Sequence, residues 1–465
     1  MVEVPPDSRQ RLRQYGQEHV LTWWDQLNDQ ERRDLIEQLQ GINLEQLRQL
    51  YAQRDQVFPV PPEEKIQPVP AVRLDPGNRS VRERGEEALR HGEVACLVVA
   101  GGQASRLGHA QPKGMFPIGP VTSKSLFQIH AEKVLALRRR YRTRVPLLVM
   151  TSPATHLETE PFFEQHHYFG LPAADVWFFC QGTMPALDLA TGKLIMDTPG
   201  RLFTSPNGHG GTLTALADSG LLDRLRREGF RHLYYFQVDN PLVQMADPLF
   251  LGHHLLSEAE VSSKVIPKEG PTDKLGNLVM VDGRCCIIEY SDLPKDLAHA
   301  TDATGQLRFR VGNPAIHIFA VDFLARVTQS DTALPYHLAR KKVPYMSESG
   351  QRVQPEQENA LKFERFIFDV LPLAERFTVV ETTKRQEFAP LKNDKGPDSP
   401  ETVPQAISDL AGDWLEQAGV AVPRDAAGHT TVPLEISPLF ALDAGEFARK
   451  VKLTHPITEA MYWRE

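Results

Sequence analysis

The chain has 465 residues, of which 41% are hydrophobic and 24% charged, with 52 lysines and arginines against 60 aspartates and glutamates. This acidic balance argues against a nucleic-acid partner, which needs a basic face, although a local cluster of cations can still bind a small anion. No apolar run approaches the roughly 18 residues of a membrane helix, and the N-terminus does not resemble a signal peptide, so we expect a cytoplasmic protein without a membrane partner.

Residues 1–57 are predicted to be helical, because leucine, valine and tryptophan recur between polar residues at helical spacing. Asn28 precedes Glu31, and Asn43 precedes Gln46, at the distance typical of helix starts, where a short polar side chain caps free amides. Residues 58–75 contain five prolines and are expected to form an extended connector rather than a packed element.

Residues 76–393 are predicted to form an α/β domain, because short β-rich runs alternate with helical stretches. The clearest predicted strands are Val94 to Ala100, Val145 to Thr151, Val176 to Cys180 and His232 to Val238. Closely spaced strands around Lys264 to Tyr290 and Ala315 to Ala320 indicate antiparallel additions to a largely parallel sheet. Residues 394–465 form a separate C-terminal region with a predicted helix near Gln405 to Gln417.

The first of these strands ends in a glycine turn that carries two cations. Gly101 and Gly102 allow the backbone to approach a ligand closely, and Arg106 and Lys113 bring positive charge, which is typical of a phosphate site. The turn has neither the Gly-Lys-Ser/Thr end of a P-loop nor the G-x-G-x-x-G spacing of a dinucleotide fold. It is therefore predicted to be a phosphate loop of another kind.

Cysteines and paired histidines give no sign of a zinc site or a disulfide framework. The cysteines lack C-x-x-C spacing and are predicted to be buried thiols: Cys96, Cys180, Cys285 and Cys286. Adjacent histidines on a helix face different directions and have no ligand partner at suitable spacing. The pairs His166-His167 and His253-His254 are therefore predicted to lie on the surface.

A series of short motifs resembles, in the same order along the chain, those of the eukaryote-type UDP-sugar pyrophosphorylases, and most closely their acetylglucosamine branch. The motifs that follow the glycine turn are Gln111-Pro112-Lys113-Gly114, Gln181-Gly182, Pro206 to Gly211, Val238-Asp239-Asn240, Glu289-Tyr290, Gly312-Asn313, Lys341 to Tyr345, Lys362 to Asp369 and Phe388 to Asn393. The resemblance implies a Rossmann-like, GT-A-like fold: a mixed sheet with flanking helices, plus N-terminal helical and small C-terminal regions.

The resemblance also implies an activity, namely the reversible reaction of UTP and a sugar 1-phosphate to give a UDP-sugar and pyrophosphate, with Mg²⁺ as cofactor. N-acetylglucosamine 1-phosphate is the favoured sugar substrate. Glucose 1-phosphate and a broad range of sugars are alternatives, because His209 stands where the acetylglucosamine branch usually has asparagine.

Site residues follow from the resemblance position by position. The implied catalytic cations are Arg106, Lys113 and Lys392; the implied nucleotide-binding residues are Gly101, Gly102, Gln181, Gly208 and His209; the implied sugar-binding residues are Glu289 and Asn313. The resemblance and the position of Asp239 after an apolar strand together assign it to Mg²⁺, which binds through one or two carboxylates plus substrate phosphates.

Two functions of other classes remain as alternatives. A metal-dependent glycosyltransferase should carry an Asp-x-Asp motif after its strand, whereas this chain has Val238-Asp239-Asn240. A non-catalytic sensor of nucleotide sugars would not need the cations that this chain retains. Catalysis is therefore favoured over both.

Overall fold

The computed structural model describes residues 2–55, 60–329, 334–452 and 455–465. The helices within these residues are α1 Pro6–Gln14, α2 Asp29–Gln40, α3 Leu44–Ala52, α4 Arg79–Arg90, α5 Leu126–Tyr141, α6 Pro153–Gln165, α7 Gly211–Asp218, α8 Leu221–Arg227, α9 Pro248–Leu256, α10 Lys295–His299, α11 Val321–Gln329, α12 Lys384–Glu387, α13 Thr402–Gln417 and α14 Ala444–Lys450. The strands are β1 Ile66–Pro68, β2 Val72–Arg73, β3 Val94–Val99, β4 Leu147–Thr151, β5 Val176–Cys180, β6 Thr183–Pro185, β7 Leu187–Asp188, β8 Met196–Thr198, β9 Arg201–Leu202, β10 Thr204–Pro206, β11 His232–Gln237, β12 Val261–Pro267, β13 Asn277–Val281, β14 Arg284–Ile288, β15 Val311–Gly312, β16 His317–Ala320, β17 His337–Lys341, β18 Tyr345–Met346, β19 Arg352–Val353, β20 Ala360–Glu364, β21 Phe377–Glu381, β22 Leu434–Ile436 and β23 Met461–Trp463.

The chain divides into two compact units that are each built from separated segments. The first unit takes residues of Met1–Pro59, Gln181–Gly211 and Ala333–Asp369, and the second takes those of Val60–Cys180, Thr212–Thr332 and Val370–Glu465. This grouping differs from the four consecutive regions predicted from the sequence, 1–57, 58–75, 76–393 and 394–465. The reason is that the N-terminal helices share one apolar core with segments far along the chain.

The first unit begins with the predicted N-terminal helices. Asn28 and Glu31 form the predicted capping box at the start of α2, and the Asn43 side chain accepts a hydrogen bond from the backbone of Gln46 at the start of α3. Buried leucines of these helices pack with strands of the same unit, among them Leu35 with Leu361 in one cluster. The three-stranded sheet of this unit has the order β17-β20-β7.

The second unit contains the large mixed sheet, with strand order β1-β13-β15-β12-β16-β11-β3-β4-β5. Strands β11, β3, β4 and β5 run parallel, whereas β16 is antiparallel to β11. The parallel strands are almost entirely buried, as expected for a sheet with helices on its faces. The predicted mixed α/β fold is confirmed.

The proline-rich segment packs against this sheet, contrary to the prediction of an unpacked connector. Strand β1 pairs antiparallel with β13, and Ile66 is fully buried. Strand β2 pairs parallel with β21. Proline tolerates an edge position because its missing N–H need not face a neighbour. The part of the prediction that concerns Phe58 and Pro59 lies outside the described residues.

The C-terminal region forms its own apolar cluster, in which Leu415 of α13 packs with Phe447 and Trp463. Helix α13 covers the segment predicted as helical. The buried carboxylate of Glu435 accepts hydrogen bonds from the Val121 and Thr122 backbone N–H groups and from the Thr122 hydroxyl, at 2.9, 2.8 and 2.5 Å. The C-terminal region is thereby bonded to the loop that follows the glycine turn.

Several predictions about cysteine and histidine were wrong. Cys96 and Cys285 are buried, but Cys180, at the end of β5, is exposed and Cys286 is partly exposed. His254 is 1% exposed rather than a surface residue, because α9 packs on the sheet and its ring shares hydrogen bonds with Ser262 and His232. Within the described ranges, no helix has the length and apolar character needed to cross a bilayer.

Candidate active site

The glycine turn after β3 is closed by its own backbone. The Lys113 N–H donates to the Gly102 carbonyl at 3.0 Å, and the Ala104 N–H donates to the Gln111 carbonyl at 3.0 Å. A Cβ on Gly114 would lie 2.2 Å from Cζ of Phe127, so only glycine fits there. The turn therefore places Lys113 directly beside Gly102.

Lys113 forms an ion pair with Asp239, with 3.6 Å between Nζ and Oδ2. Strand β11 is parallel to β3 with Gln237 opposite Val99, so the residues that follow both strands meet at one edge of the sheet. Asp239 is 8% exposed, and within the described part of the chain its carboxylate accepts no hydrogen bond. A nearly buried carboxylate that accepts no hydrogen bond is well suited to bind a cation.

The segment that carries Lys392 is bonded to the backbone of Asp239. The Leu391 N–H donates to the Asp239 carbonyl at 2.9 Å, and the N–H groups of Lys392 and Asn393 donate to the Asp398 carbonyl at 2.7 and 3.0 Å. The Lys392 side chain is exposed. The fold thus brings together the glycine turn, Lys113, Asp239 and the backbone of Lys392.

Arg106 lies on a short 3₁₀ turn, Ser105–Leu107, within the same loop, and its side chain is exposed. Across the described ranges it forms no ion pair, unlike Lys113. Its charge is therefore available to a ligand at the glycine turn.

Asp398 was not identified from the sequence, although it lies close to these groups. Burial raises the pKa of its carboxyl, the charge of Lys392 opposes that rise, and the charge of Asp239 adds to it. Its backbone has φ of +60°, which a residue other than glycine seldom adopts. A carboxylate in a polar loop has no distinctive sequence pattern. The neighbouring motif Lys392-Asn393 was therefore the only sequence feature that pointed to this loop.

The predicted sugar-binding residues, Glu289 and Asn313, flank one glycine of the same sheet. Asn277 of β13 is paired with Ile288 on one side and with Gly312 on the other, so the residues that follow those two lie on either side of Gly276. The Asn313 N–H donates to the Gly276 carbonyl at 3.0 Å, and a Cβ on Gly276 would lie 3.3 Å from Oε1 of Glu289.

Gln181 and Gly208 belong to the first unit. Gln181 follows β5 and is 6% exposed. Gly208 has φ of +83°, and a Cβ there would lie 2.4 Å from the carbonyl oxygen of Arg365. Glycine is therefore required at this position by close packing of two backbone segments.

His209 makes contacts within the first unit that the sequence did not indicate. Its Nδ1 accepts a hydrogen bond from the Ile367 N–H at 3.1 Å, and its ring stacks on Phe366 with 5.3 Å between centroids. Burial, assisted by nearby His337, lowers the pKa of His209 to about 4. The imidazole is thus neutral near neutral pH, and Nδ1 serves the fold.

Lys362 of β20 belongs to the motif Lys362 to Asp369 but, like Asp398, has no predicted role. Burial and the neighbouring charge of Lys341 lower the pKa of Lys362. Its Nζ lies 5.0 Å from the ring centroid of Phe203. A bound anion would stabilise the charged form of such a lysine.

No group of three or more metal-binding side chains occurs in the part of the chain that the structure describes. The residues present fit a metal that takes few protein ligands and completes its shell with phosphate oxygens and water. Mg²⁺ has that preference.

Comparisons with known proteins give concordant matches. The sequence profile of the family described as UTP--glucose-1-phosphate uridylyltransferase matches residues 44–396. The chain is 40% identical over 348 residues to the UDP-N-acetylglucosamine pyrophosphorylase of Saccharomyces cerevisiae, covering 73% of each chain. It is 36% identical over 463 residues to UDP-N-acetylglucosamine diphosphorylase 2 of Arabidopsis thaliana, covering 94% of this chain and 89% of that one.

A comparison of solved structures gives a match of the same kind. The solved structure of the uridine diphosphate N-acetylglucosamine pyrophosphorylase of Trypanosoma brucei superposes with a TM-score of 0.82 at 26% identity. The superposition covers 100% of this chain and 99% of that one.

Proposed function

The chain belongs to the UTP--glucose-1-phosphate uridylyltransferase family, and on that premise we propose that it transfers uridylyl from UTP to N-acetylglucosamine 1-phosphate. The products are a UDP-sugar and pyrophosphate. The family match supports the reaction class, and the names of the yeast and plant relatives support the sugar. The single observation that carries the site is the pairing of Lys113 with Asp239 beside the glycine turn.

The reaction joins two polyanions, so binding and charge neutralisation dominate its requirements. An oxygen of the sugar phosphate attacks the α-phosphorus of UTP in line, and pyrophosphate leaves from the opposite side without a covalent enzyme intermediate. Lys113 and Arg106 stabilise the charge that develops on the leaving pyrophosphate. Lys392 orients the phosphate of the sugar.

Asp239 is the proposed magnesium ligand, because it supplies an oxygen in a nearly buried position with no competing hydrogen bond from the described residues. When bound, Mg²⁺ supplies positive charge that neutralises phosphate oxygens. Asp239 also holds the Lys113 ammonium group near that position before substrate arrives.

The remaining assignments follow the family positions. Gly101, Gly102, Gln181, Gly208 and His209 contact the nucleotide, and Glu289 and Asn313 contact sugar hydroxyls. The register around Gly276, which places Glu289 and Asn313 on either side of that glycine, supports a shared role for these two. For His209, Nδ1 accepts from the Ile367 N–H, so the neutral ring carries its proton on Nε2.

We expect the sugar preference to appear in a comparison of sugar 1-phosphates at saturating UTP and Mg²⁺, with pyrophosphate release as the readout. The kcat/KM value should be about 5- to 150-fold higher for N-acetylglucosamine 1-phosphate than for glucose 1-phosphate, since a lost buried hydrogen bond costs about 1–3 kcal/mol. Equal values would support a broad-specificity enzyme. Absence of release with every sugar would support a non-catalytic sensor.

A further inference from the structure

Three hydrogen bonds join the loop that carries Asp239 to the segment that carries Lys392. The Asn240 side chain donates to the Glu387 carbonyl at 2.8 Å and accepts from the Ala389 N–H at 3.1 Å. The Leu391 N–H donates to the Asp239 carbonyl at 2.9 Å. These bonds engage three alternate residues, from Glu387 at the end of α12 to Leu391, directly before Lys392.

A buried cluster of charged side chains supports the same segment. Glu387 and Lys264 are both 0% exposed, and Lys264 Nζ lies 2.7 Å from each carboxylate oxygen of Glu387. Lys264 also donates to Asp247 at 3.0 Å, and the Gln244 N–H donates to Glu387 at 3.1 Å. Buried charges are tolerated only when all partners are in place, so the cluster resists displacement of any member.

Helix α5 holds the Asp239 loop from another side. His130 Nε2 donates to the Val238 carbonyl at 2.9 Å, and Lys133 donates to the carbonyls of Pro241 and Val243, the latter at 2.8 Å. Backbone carbonyls on both sides of Asp239 and Asn240 are thereby fixed. The position of the Asp239 carboxylate is determined by buried contacts on several elements.

We propose that Asn240 is a positioning residue, which sets the separation between the metal-binding carboxylate of Asp239 and the phosphate-binding Lys392, with the Glu387–Lys264 pair as its support. This inference rests on the proposed roles of Asp239 and Lys392. Asn240 is 3% exposed and both polar ends of its amide are used in these bonds, so it acts through its neighbours and not on substrate.

The test compares Asn240→Ala with Asn359→Ala. Asn359 is the control in the first unit, because its amide likewise bonds to backbone at both ends, accepting from the Val343 N–H at 2.8 Å and donating to the Val343 carbonyl at 2.9 Å. We expect both variants to lose thermal stability, Asn240→Ala more than Asn359→Ala, because Asn240 is more buried and also accepts from the Leu242 N–H. Only Asn240→Ala should lower kcat, by about 10²-fold, and raise the Mg²⁺ concentration for half-maximal activity, because small misplacements of reacting groups are costly.

A double-mutant cycle with Lys392→Ala separates positioning from general destabilisation. If Asn240 acts through Lys392, adding Asn240→Ala to Lys392→Ala should cost far less activity than Asn240→Ala alone. Should Asn240→Ala not fold, Asn240→Ser is measured in its place. An unchanged Mg²⁺ requirement, or fully additive losses in the cycle, overturns the positioning role.

These measurements distinguish a failure of the positioning role from a failure of the proposed function. Wild-type kinetics in Asn240→Ala, with large losses in Asp239→Asn and Lys392→Ala, overturn only the positioning role. Full activity in Asp239→Asn or Lys392→Ala overturns the proposed site itself.

Discussion

Lys113→Ala is expected to lower kcat for uridylyl transfer by about 10²- to 10³-fold, equivalent to about 2.7–4 kcal/mol, the usual effect of removing a preorganised charge-stabilising donor. The glycine turn holds the Lys113 backbone against Gly102, and the ammonium group lies 3.6 Å from Asp239. The free energy of unfolding should change far less than the activation free energy, because Lys113 and Asp239 form one long ion pair of 3.6 Å with no hydrogen bond between them. Steady-state kinetics and denaturant unfolding measure the two effects.

Lys65→Ala provides the control for charge removal. Lys65 lies in the same unit and forms an ion pair with Asp282 at 2.9 Å, at a position that we assign no role in the reaction. Its kcat should equal that of the unaltered protein. Comparable losses of turnover in the two variants, or a parallel loss of turnover and stability in Lys113→Ala, would count against the assigned role of Lys113.

Asp239→Asn is expected to remove most of the Mg²⁺-dependent activity, with a fall in kcat/KM of roughly 10³-fold, since bound metal contributes several kcal/mol of charge stabilisation. Asparagine keeps the size of the side chain and does not alter the carbonyl that accepts from Leu391. The variant should therefore fold. Mg²⁺ titrations of the initial rate should lose their saturable phase.

Asp175→Asn is the matched carboxylate variant. Asp175 is 7% exposed and paired with Arg138 at 2.7 Å in the same unit. It should lose stability, because Arg138 and Arg144 both lose the carboxylate with which they pair, while its Mg²⁺ titration stays unchanged. An Asp239→Asn enzyme with the Mg²⁺ response of the original protein would refute the metal assignment.

The arrangement around the glycine turn could be predicted because its signals are local. An apolar strand followed by Gly101 and Gly102, and another followed by Asp239, predict ligand-binding loops at one edge of a parallel sheet, and the register of β3 with β11 confirms that edge. The starts of α2 and α3 were equally local, since one side chain caps each. Lys392 needed the family resemblance, because a lysine in a polar loop has no pattern of its own.

Contacts between distant segments of the chain could not be predicted from the sequence. The ion pair between Lys264 and Glu387 joins residues that are 123 positions apart. Hydrophobic periodicity does not reveal a charged residue that is buried against a distant partner. The first unit escaped prediction for the same reason, because its core combines the N-terminal helices with residues such as Leu187 and Phe363. The contact of His209 with Ile367 likewise depends on tertiary packing rather than on neighbours in sequence.

The most direct test of the account follows the α-phosphate of UTP. The purified protein is incubated with Mg²⁺, N-acetylglucosamine 1-phosphate and UTP labelled at the α-phosphorus, and the labelled products are separated. We predict that the label enters a UDP-sugar and that pyrophosphate forms in equal amount. Label recovered in UMP, or remaining in UTP when substrates and Mg²⁺ are saturating, would contradict uridylyl transfer as the function of this protein.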